Sequence, residues 1–223
     1  MTGWPVIEKF PTPTILPLGD SALLVRFGTV LTDAANRAAI VLAKRLEQMP
    51  LSGVVEIAPN LVSVLLRYDP RGTHASEMVG ELRLRLSALE INSTIAGRDW
   101  TIAVHFDGPD LDSVAAALKL TPDAFIAAHN AQELRVLATG FAPGFVYCGL
   151  HPQALTLPRR SEVRPMVPPG TILFAAGQTA ITATELPTGW HIIGHTDFNN
   201  FDPGVSPPTR LAPGDHLSFA VAS

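Results

Sequence analysis

Residues 170–196 read GTILFAAGQTAITATELPTGWHIIGHT. Short β-type runs (GTILFAAG, TAITATE, WHIIGHT) follow one another with only glycine- and proline-bearing turns between them. HLSFAVA near the end of the chain repeats the pattern. The whole segment from Thr139 to Ser223 holds 11 prolines and 9 glycines in 85 residues. Short β-rich runs at this close spacing with glycine and proline between them indicate a sandwich or barrel rather than a parallel sheet with helices.

The first half of the chain has a different grammar. Ser21–Phe27 (SALLVRF) reads as a strand after the turn pair Gly19-Asp20. A helix follows from Thr32 or Asp33, with Ala35, Ala38, Leu42, Leu46 and Met49 at helical spacing. GVVEIAP and LVSVLLRYD are strand candidates. ASEMVGELRLRLSAL is a second helix with Met78, Leu82, Leu86 and Leu89 as its stripe, and a short strand is expected near 91–95. The order β-α-β-β-α-β is the ferredoxin-like arrangement. After Gly97-Arg98, DWTIAVHF opens a new strand. Two short helices follow, the second capped by Thr121 with Pro122 at its first position. The expectation is an α+β protein: a small α/β domain over 1–96 and a β-rich domain, sandwich or barrel, over 97–223.

Composition limits the function classes. Hydrophobic residues make up 47% and charged residues 16% of 223, so a sizeable core is expected. The net charge is -4 with three lysines, which is no footprint for nucleic acid. One cysteine allows no internal disulfide, the N-terminus lacks a signal-peptide pattern, and no run reaches the roughly 20 apolar residues of a membrane helix. A cytoplasmic protein without membrane contact is the expectation.

Candidate chemistry is sparse. Cys148 lies between Tyr147 and Gly149 in an apolar stretch and reads as a buried structural thiol. His191 and His195 on one strand face would stand ~13 Å apart, too far to share a metal, and no metal is expected. His195 alone is a candidate for substrate contact. Arg159, Arg160 and Arg164 form either a solvated turn or a carboxylate or phosphate clamp. Gln178 and Thr179 are polar residues among apolar β-positions, suited to lining a barrel or satisfying a neighbouring backbone. Asp202 and Asp215 sit in turn contexts, where Asp commonly bonds local backbone. Gly140 and Gly144 match neither a helical GxxxG pair, given Pro143, nor a Walker loop.

Taken together and in order, GFAPGFVYCGL, LPRRSEVRPMVPPGTI, AAGQTAI, PTGWHIIGHT, FDP and LAPGDHLSF resemble the family of 5-oxoprolinase B subunits. That family is also called allophanate hydrolase subunit 1, or the carboxyltransferase C/D subdomain family, and it includes an inhibitor of the sporulation histidine kinase. LGDSALLVRFG and GVVEIAPNLVSVLLRYDP extend the resemblance from Leu18 to Phe219. It implies a cyclophilin-like barrel for the second domain. It also implies an ATP-using complex, with a C subunit of the carboxyltransferase A/B type and an A subunit, that opens 5-oxo-L-proline, a lactam, to L-glutamate. Regulation of a histidine kinase, or a carboxyltransferase or allophanate-hydrolase role in urea metabolism, are the alternatives it carries. It further implies catalytic roles for Arg164, Gln178, Thr179 and His195. Substrate contacts are implied for Gly140, Phe141, Pro143, Gly144, Tyr147, Arg159, Trp190 and Asp202. This chain departs from the family where His195 replaces a usual arginine, and where Cys148 stands at a position that is apolar in relatives.

Overall fold

A computed structural model describes residues 10–89 and 97–222. The chain divides into two compact units, Met1–Ala96 and Gly97–Ser223.

In the first unit, β1 (Thr14–Leu18) and β2 (Ala22–Arg26) form a hairpin, and α1 (Asp33–Gln48) leads to a second hairpin of β3 (Val54–Pro59) and β4 (Ser63–Tyr68). A further helix, α2 (Ala75–Ser87), ends the described part. The sheet order is β1-β2-β4-β3, with every described pairing antiparallel. Thr32 caps α1 by accepting from the Ala35 amide, and Asn36, fully buried, donates to the Leu61 carbonyl. Alanines 35, 38, 39 and 43 with Leu42 and Leu46 pack on Leu23, Val25, Val64 and Leu66, with Met78 and Leu82 of α2 beside them. Small side chains on α1 let its axis approach the sheet closely. Met49 departs from the expected stripe: it lies past the last turn and is exposed.

The split β-α-β unit is present, since β4 lies between β2 and β3. The strand beside β2, however, is β1, which precedes the segment read as the first strand. The strand expected near 91–95 lies outside the described residues. The first unit is therefore described as β-β-α-β-β-α rather than by the ferredoxin-like name.

The second unit opens with β5 (Asp99–Val104), α3 (Leu111–Ala117) and α4 (Pro122–Asn130), the last capped by Thr121. The strands that follow are β6 (Leu134–Thr139), β7 (Val146–Gly149), β8 (Arg164–Val167), β9 (Thr171–Ala175), β10 (Gln178–Ile181), β11 (Leu186–Thr188), β12 (His191–His195) and β13 (His216–Val221). One seven-stranded sheet has the order β12-β9-β10-β7-β6-β13-β5, and β8 pairs with β11 separately. All its pairings are antiparallel except β13 with β5.

The sheet curls until its ends meet. His105 and His195 exchange two backbone hydrogen bonds of 2.9 Å, and the amides of Gly108 and Asp110 donate to the carbonyls of Ile193 and Ile192. Satisfying both edges in this way removes unpaired strand groups. Gly108 and Gly194 make the approach possible, because a Cβ on either would fall well inside contact distance of backbone atoms across the seam. Phe125, Phe174, Ile102, Val104, Leu217 and Phe219 lie in the core cluster that includes residues of β5, β7, β9 and β13. Asp215 ties β5 to the β13 approach: it accepts from the Arg98 amide and guanidinium, Trp100 Nε1 and the Ala212 amide. Burial alone would raise its pKa, but these donors outweigh burial and hold it below the usual carboxylate value. Among the described residues no helix is long and apolar enough to cross a membrane.

Gly194→Val should open the seam. We expect destabilisation of about 2–3 kcal/mol in urea unfolding, by overpacking against main chain that has no side-chain freedom to yield. An unchanged midpoint would contradict the seam's role.

Candidate functional site

The β6–β7 connection concentrates unusual backbone in a few residues. Gly140, Phe141 and Gly144 all have positive φ, at 117°, 77° and 70°. Phe141 is a bulky residue in the left-handed region and is nonetheless 72% exposed. Such strain persists only where the surroundings over-determine it. Here the Gly140 amide donates to the Phe145 carbonyl and the Phe145 amide to the Ala142 carbonyl. Asn200, fully buried, donates to the Gly144 carbonyl at 2.9 Å and accepts from the Leu211 amide at 2.8 Å. A Cβ at Gly144 would stand 2.5 Å from the Phe201 Cβ and 2.7 Å from the Ala183 Cβ. The loop, Phe201 and Thr209 line a cleft of about 450 Å³. Phe201 also walls a second, more polar cavity of about 250 Å³ beside Thr182, Thr196 and Asp197.

From this loop an aromatic run crosses the outer face of the sheet. Phe141 packs on Phe145 at 5.5 Å between ring centroids, Phe145 on Tyr147 at 4.8 Å, and Tyr147 on Trp190 at 6.0 Å. The Arg159 guanidinium lies 5.6 Å from the Trp190 ring centre, within cation–π range. Burial pushes the Tyr147 phenol up in pKa, with Arg159 pulling modestly the other way, so Tyr147 stays a neutral donor. Gln178 belongs to the same face, because Ala180 pairs with Tyr147 and Gln178 is two residues along the strand. Its Oε1 is buried without a hydrogen-bond partner.

Thr179 points the other way, into the core, opposite Cys148. It is fully buried and bridges His129 Nε2 (2.8 Å) and His151 Nε2 (2.9 Å). His129 Nδ1 faces Asn130 Oδ1 at 2.7 Å, which assigns the proton to Nδ1. Thr179 then donates to His129 Nε2 and accepts from His151 Nε2–H, leaving His151 Nδ1 unpartnered. Burial lowers the pKa of His129 to about 4, partly opposed by the hydrogen bond it donates to Asn130. Burial and neighbouring His129 lower His151 to about 3. Burial pushes the Cys148 thiol far up, which leaves no thiolate for nucleophilic chemistry.

Arg164 is held by a fork to Asp110 at 2.6 and 2.8 Å, and Arg160 adds a third contact at 2.8 Å. Asp110 also accepts from the Ile192 amide at 2.7 Å. Burial opposes its ionisation, but Arg164, the Ile192 amide and Arg160 together hold its carboxyl below the usual range. Asp110 stands at the N-cap position of α3 but makes no cap bond there, its oxygens being taken by arginines. His195 sits on the seam, stacked on His105 at 4.8 Å and 2.9 Å from Asp107 Oδ1. Asp202 accepts from the Gly204 amide within its own turn.

The predicted residues thus fall into groups. Gly140, Phe141, Pro143 and Gly144 line the cleft, and Phe141, Tyr147, Trp190 and Arg159 share the aromatic run. Gln178 lies on the same sheet face. Arg164, Thr179, His195 and Asp202 occupy other places. Sequence reasoning missed Asn200, Asp110, His129 and His151, which carry no local signal, whereas Phe145 is legible in the sequence as the second phenylalanine of the GFAPGF loop and an anchor of its turn. Among the described residues, Asp99, Glu133 and His216 bring possible metal-ligating atoms within 4.8 Å of one another on the surface. His216 already pairs with Glu133 there.

The buried histidines set a pH dependence. Their native pKa values lie below the ordinary 6.5, so below that pH the unfolded chain takes up protons that the native state refuses. Stability is full above about pH 6.5 and falls as the pH drops towards 4, by at most about 1.4 kcal/mol per pH unit for each histidine. Urea unfolding between about pH 7.5 and 4.5 should show this loss, and His151→Gln should reduce the slope. A flat profile would contradict two neutral buried imidazoles.

Known proteins place this geometry in a family. The model for the carboxyltransferase domain, subdomain C and D, matches residues 13–211. The chain is 32% identical to the B subunit of 5-oxoprolinase from Bacillus subtilis (strain 168), covering 92% of this chain and 91% of that one. It is 35% identical to the B subunit of 5-oxoprolinase from Escherichia coli O157:H7, with 91% and 93% covered. The crystal structure of TTHA0988 superposes with a TM-score of 0.79 at 35% identity over 91% of this chain, which spans only 40% of that longer one. Urea amidolyase of K. lactis shares the fold, with a TM-score of 0.77 at 15% identity over 98% of this chain and 15% of its own length. The chain belongs to the family of carboxyltransferase subdomains C and D that includes the 5-oxoprolinase B subunits.

Proposed function

We propose that this chain is one component of an ATP-dependent complex that opens 5-oxo-L-proline to L-glutamate, acting with the C and A subunits and inactive alone. The carrying observation is near full-length similarity, in both directions, to proteins named as B subunits of 5-oxoprolinase. The reading takes the curled sheet as a cyclophilin-like barrel. A five-membered lactam is a poor electrophile. Phosphorylation of its amide oxygen by ATP, releasing ADP, activates the ring carbon. Water adds there, and the C–N bond breaks with the protonated amine leaving to give an acyl phosphate. A second water releases phosphate and the free carboxylate. Such a sequence needs positioning of the ring and donors for developing negative charge. On this reading the β6–β7 loop backbone and the face carrying Tyr147, Gln178 and Arg159 contribute that surface. Arg164 contributes indirectly, by fixing its loop against Asp110. ATP is assigned to the complex as a whole, and this chain has no Walker loop.

A carboxyltransferase role in urea metabolism is the second reading. The fold likeness to urea amidolyase and to the urea carboxylase of Kluyveromyces lactis favours it, at 15% and 14% identity.

Co-expression with the C and A subunits, followed by size-exclusion chromatography, should yield a complex that releases ADP only when 5-oxoproline is present. The isolated chain should release none. A verified complex inert towards 5-oxoproline but able to move a carboxyl group from carboxybiotin would replace the first reading by the second. Within the active complex, Cys148→Ala should leave turnover within about twofold, the thiol being inert. Gly144→Val should lower it by about 10²-fold, because the loop cannot keep its position.

A further inference from the structure

The cleft of about 450 Å³ has walls that are remote in sequence, the β6–β7 loop on one side and Phe201 with Thr209 on the other. Phe201 and Thr209 pair across an isolated antiparallel bridge, and the Asp202 amide donates to the Pro208 carbonyl at 2.8 Å. Residues 200–211 are thereby closed into a loop of their own. Asn200 stands where the two loops meet, and it is fully buried. Its Nδ2 donates to the Gly144 carbonyl at 2.9 Å and its Oδ1 accepts from the Leu211 amide at 2.8 Å. Its backbone carbonyl accepts from the Arg210 amide at 3.2 Å. A carbonyl on one side and an N–H on the other fix the carboxamide in a single orientation.

We propose that Asn200 is a positioning residue for the cleft. Its carboxamide holds the β6–β7 loop against the 200–211 loop and so sets where the loop's backbone groups face a substrate. The positive φ values of Gly140, Phe141 and Gly144 need such a hold. The loop's internal bonds, from the Gly140 amide to the Phe145 carbonyl and from the Phe145 amide to the Ala142 carbonyl, close it on itself without tying it across the cleft. Among the described residues, the bond from Asn200 to Gly144 is the one hydrogen bond joining residues 140–145 to residues 199–211. An apolar side chain of the same size would fill the space but leave the Gly144 carbonyl and the Leu211 amide buried and unpaired. The position therefore supplies a donor and an acceptor, and not volume alone. The contribution of Asn200 to the reaction rests on the oxoprolinase reading for its substrate, whereas its hold on the loop does not.

Two variants separate these bonds from the volume. Asn200→Leu keeps the size and removes both bonds. In the isolated chain, hydrogen exchange at the Gly140, Phe145 and Leu211 amides should speed about 10-fold or more, while the amides of β9 keep their protection. In the assembly with the C and A subunits, kcat for 5-oxoproline per folded molecule should fall about 10- to 100-fold. Its KM should change less than about threefold, because the displaced loop groups serve the transition state. Asn200→Asp tests the donor alone. Its ionised carboxylate still accepts from the Leu211 amide but offers no hydrogen to the Gly144 carbonyl. Its protonated form makes both bonds, and burial favours that form. The kcat relative to wild type should therefore recover as the pH is lowered from about 8.5 to about 6.5. That window lies above the loss of stability set by the buried histidines. The charged residues nearest Asn200 in its loop are otherwise engaged: Asp202 accepts from the Gly204 amide, and the Arg210 guanidinium lies over the Phe198 ring. Unchanged exchange in Asn200→Leu, a wild-type kcat per folded molecule, or a pH-independent ratio for Asn200→Asp would each overturn the role. The two readings fail separately. Turnover of 5-oxoproline that ignores both variants removes the role and keeps the function. An assembly that instead moves a carboxyl group from carboxybiotin, and loses that activity in Asn200→Leu, keeps the role and removes the function. Exchange needs no activity, so it decides the hold on the loop even for an assembly inert in both reactions.

Discussion

The closure between β5 and β12 gives the second unit an inside and an outside. Without the paired main chains of His105 and His195, alternation along β7 and β10 would only mark two faces of an open sheet. With the seam made, one step along a strand moves a side chain from a sealed interior to the outer face. Gln178 and Thr179 are neighbours in sequence and belong to different environments. One carries an unmet acceptor on the outer face, and the other bridges two neutral imidazoles among phenylalanines. Tyr147 and Cys148 divide the same way.

Charge in the arginine loop is allocated by one carboxylate. Asp110 gathers two guanidinium groups and a strand amide, so it locks the loop against β12 while leaving one cation of the three unclaimed. A buried carboxylate with this many donors is strongly held in its charged form.

Much of the second unit was legible in the sequence because its turns are marked by glycine and proline and its strands are short. The runs around Leu173, Thr179 and Ile193 became β9, β10 and β12. The cap Thr121 was equally plain and the other was narrowed to Thr32 or Asp33, since a hydroxyl or carboxylate three residues ahead of an orphan amide is a local signal. β1, β6, β8 and β11 went unread, the first because Pro11, Pro13 and Pro17 mask its alternation and β8 because its Arg164 was read within a loop. The site was harder to read. Phe141, Tyr147 and Trp190 were named, but the contacts joining the loop to Trp190 cross long stretches of chain. Asp110, 50 and 54 residues from its arginines, carried no local mark at all. Sequence patterns report neighbours along the chain, and this site is built from neighbours across the sheet.

The parallel pairing of β13 with β5 has a consequence for how the unit is made. β13 lies between β5 and β6 in the sheet, although it is the last described strand in the chain and β5 the first of its unit. Until residues 216–221 are available, β5 has no partner on that side and β6 carries an open edge. The seam can therefore form early, but the sheet cannot become continuous until that strand has been synthesised. Pairings of such long sequence separation are slow to find, because loop-closure entropy opposes them until the contacts form. The sheet should be completed late on the ribosome, with two exposed strand edges while it waits.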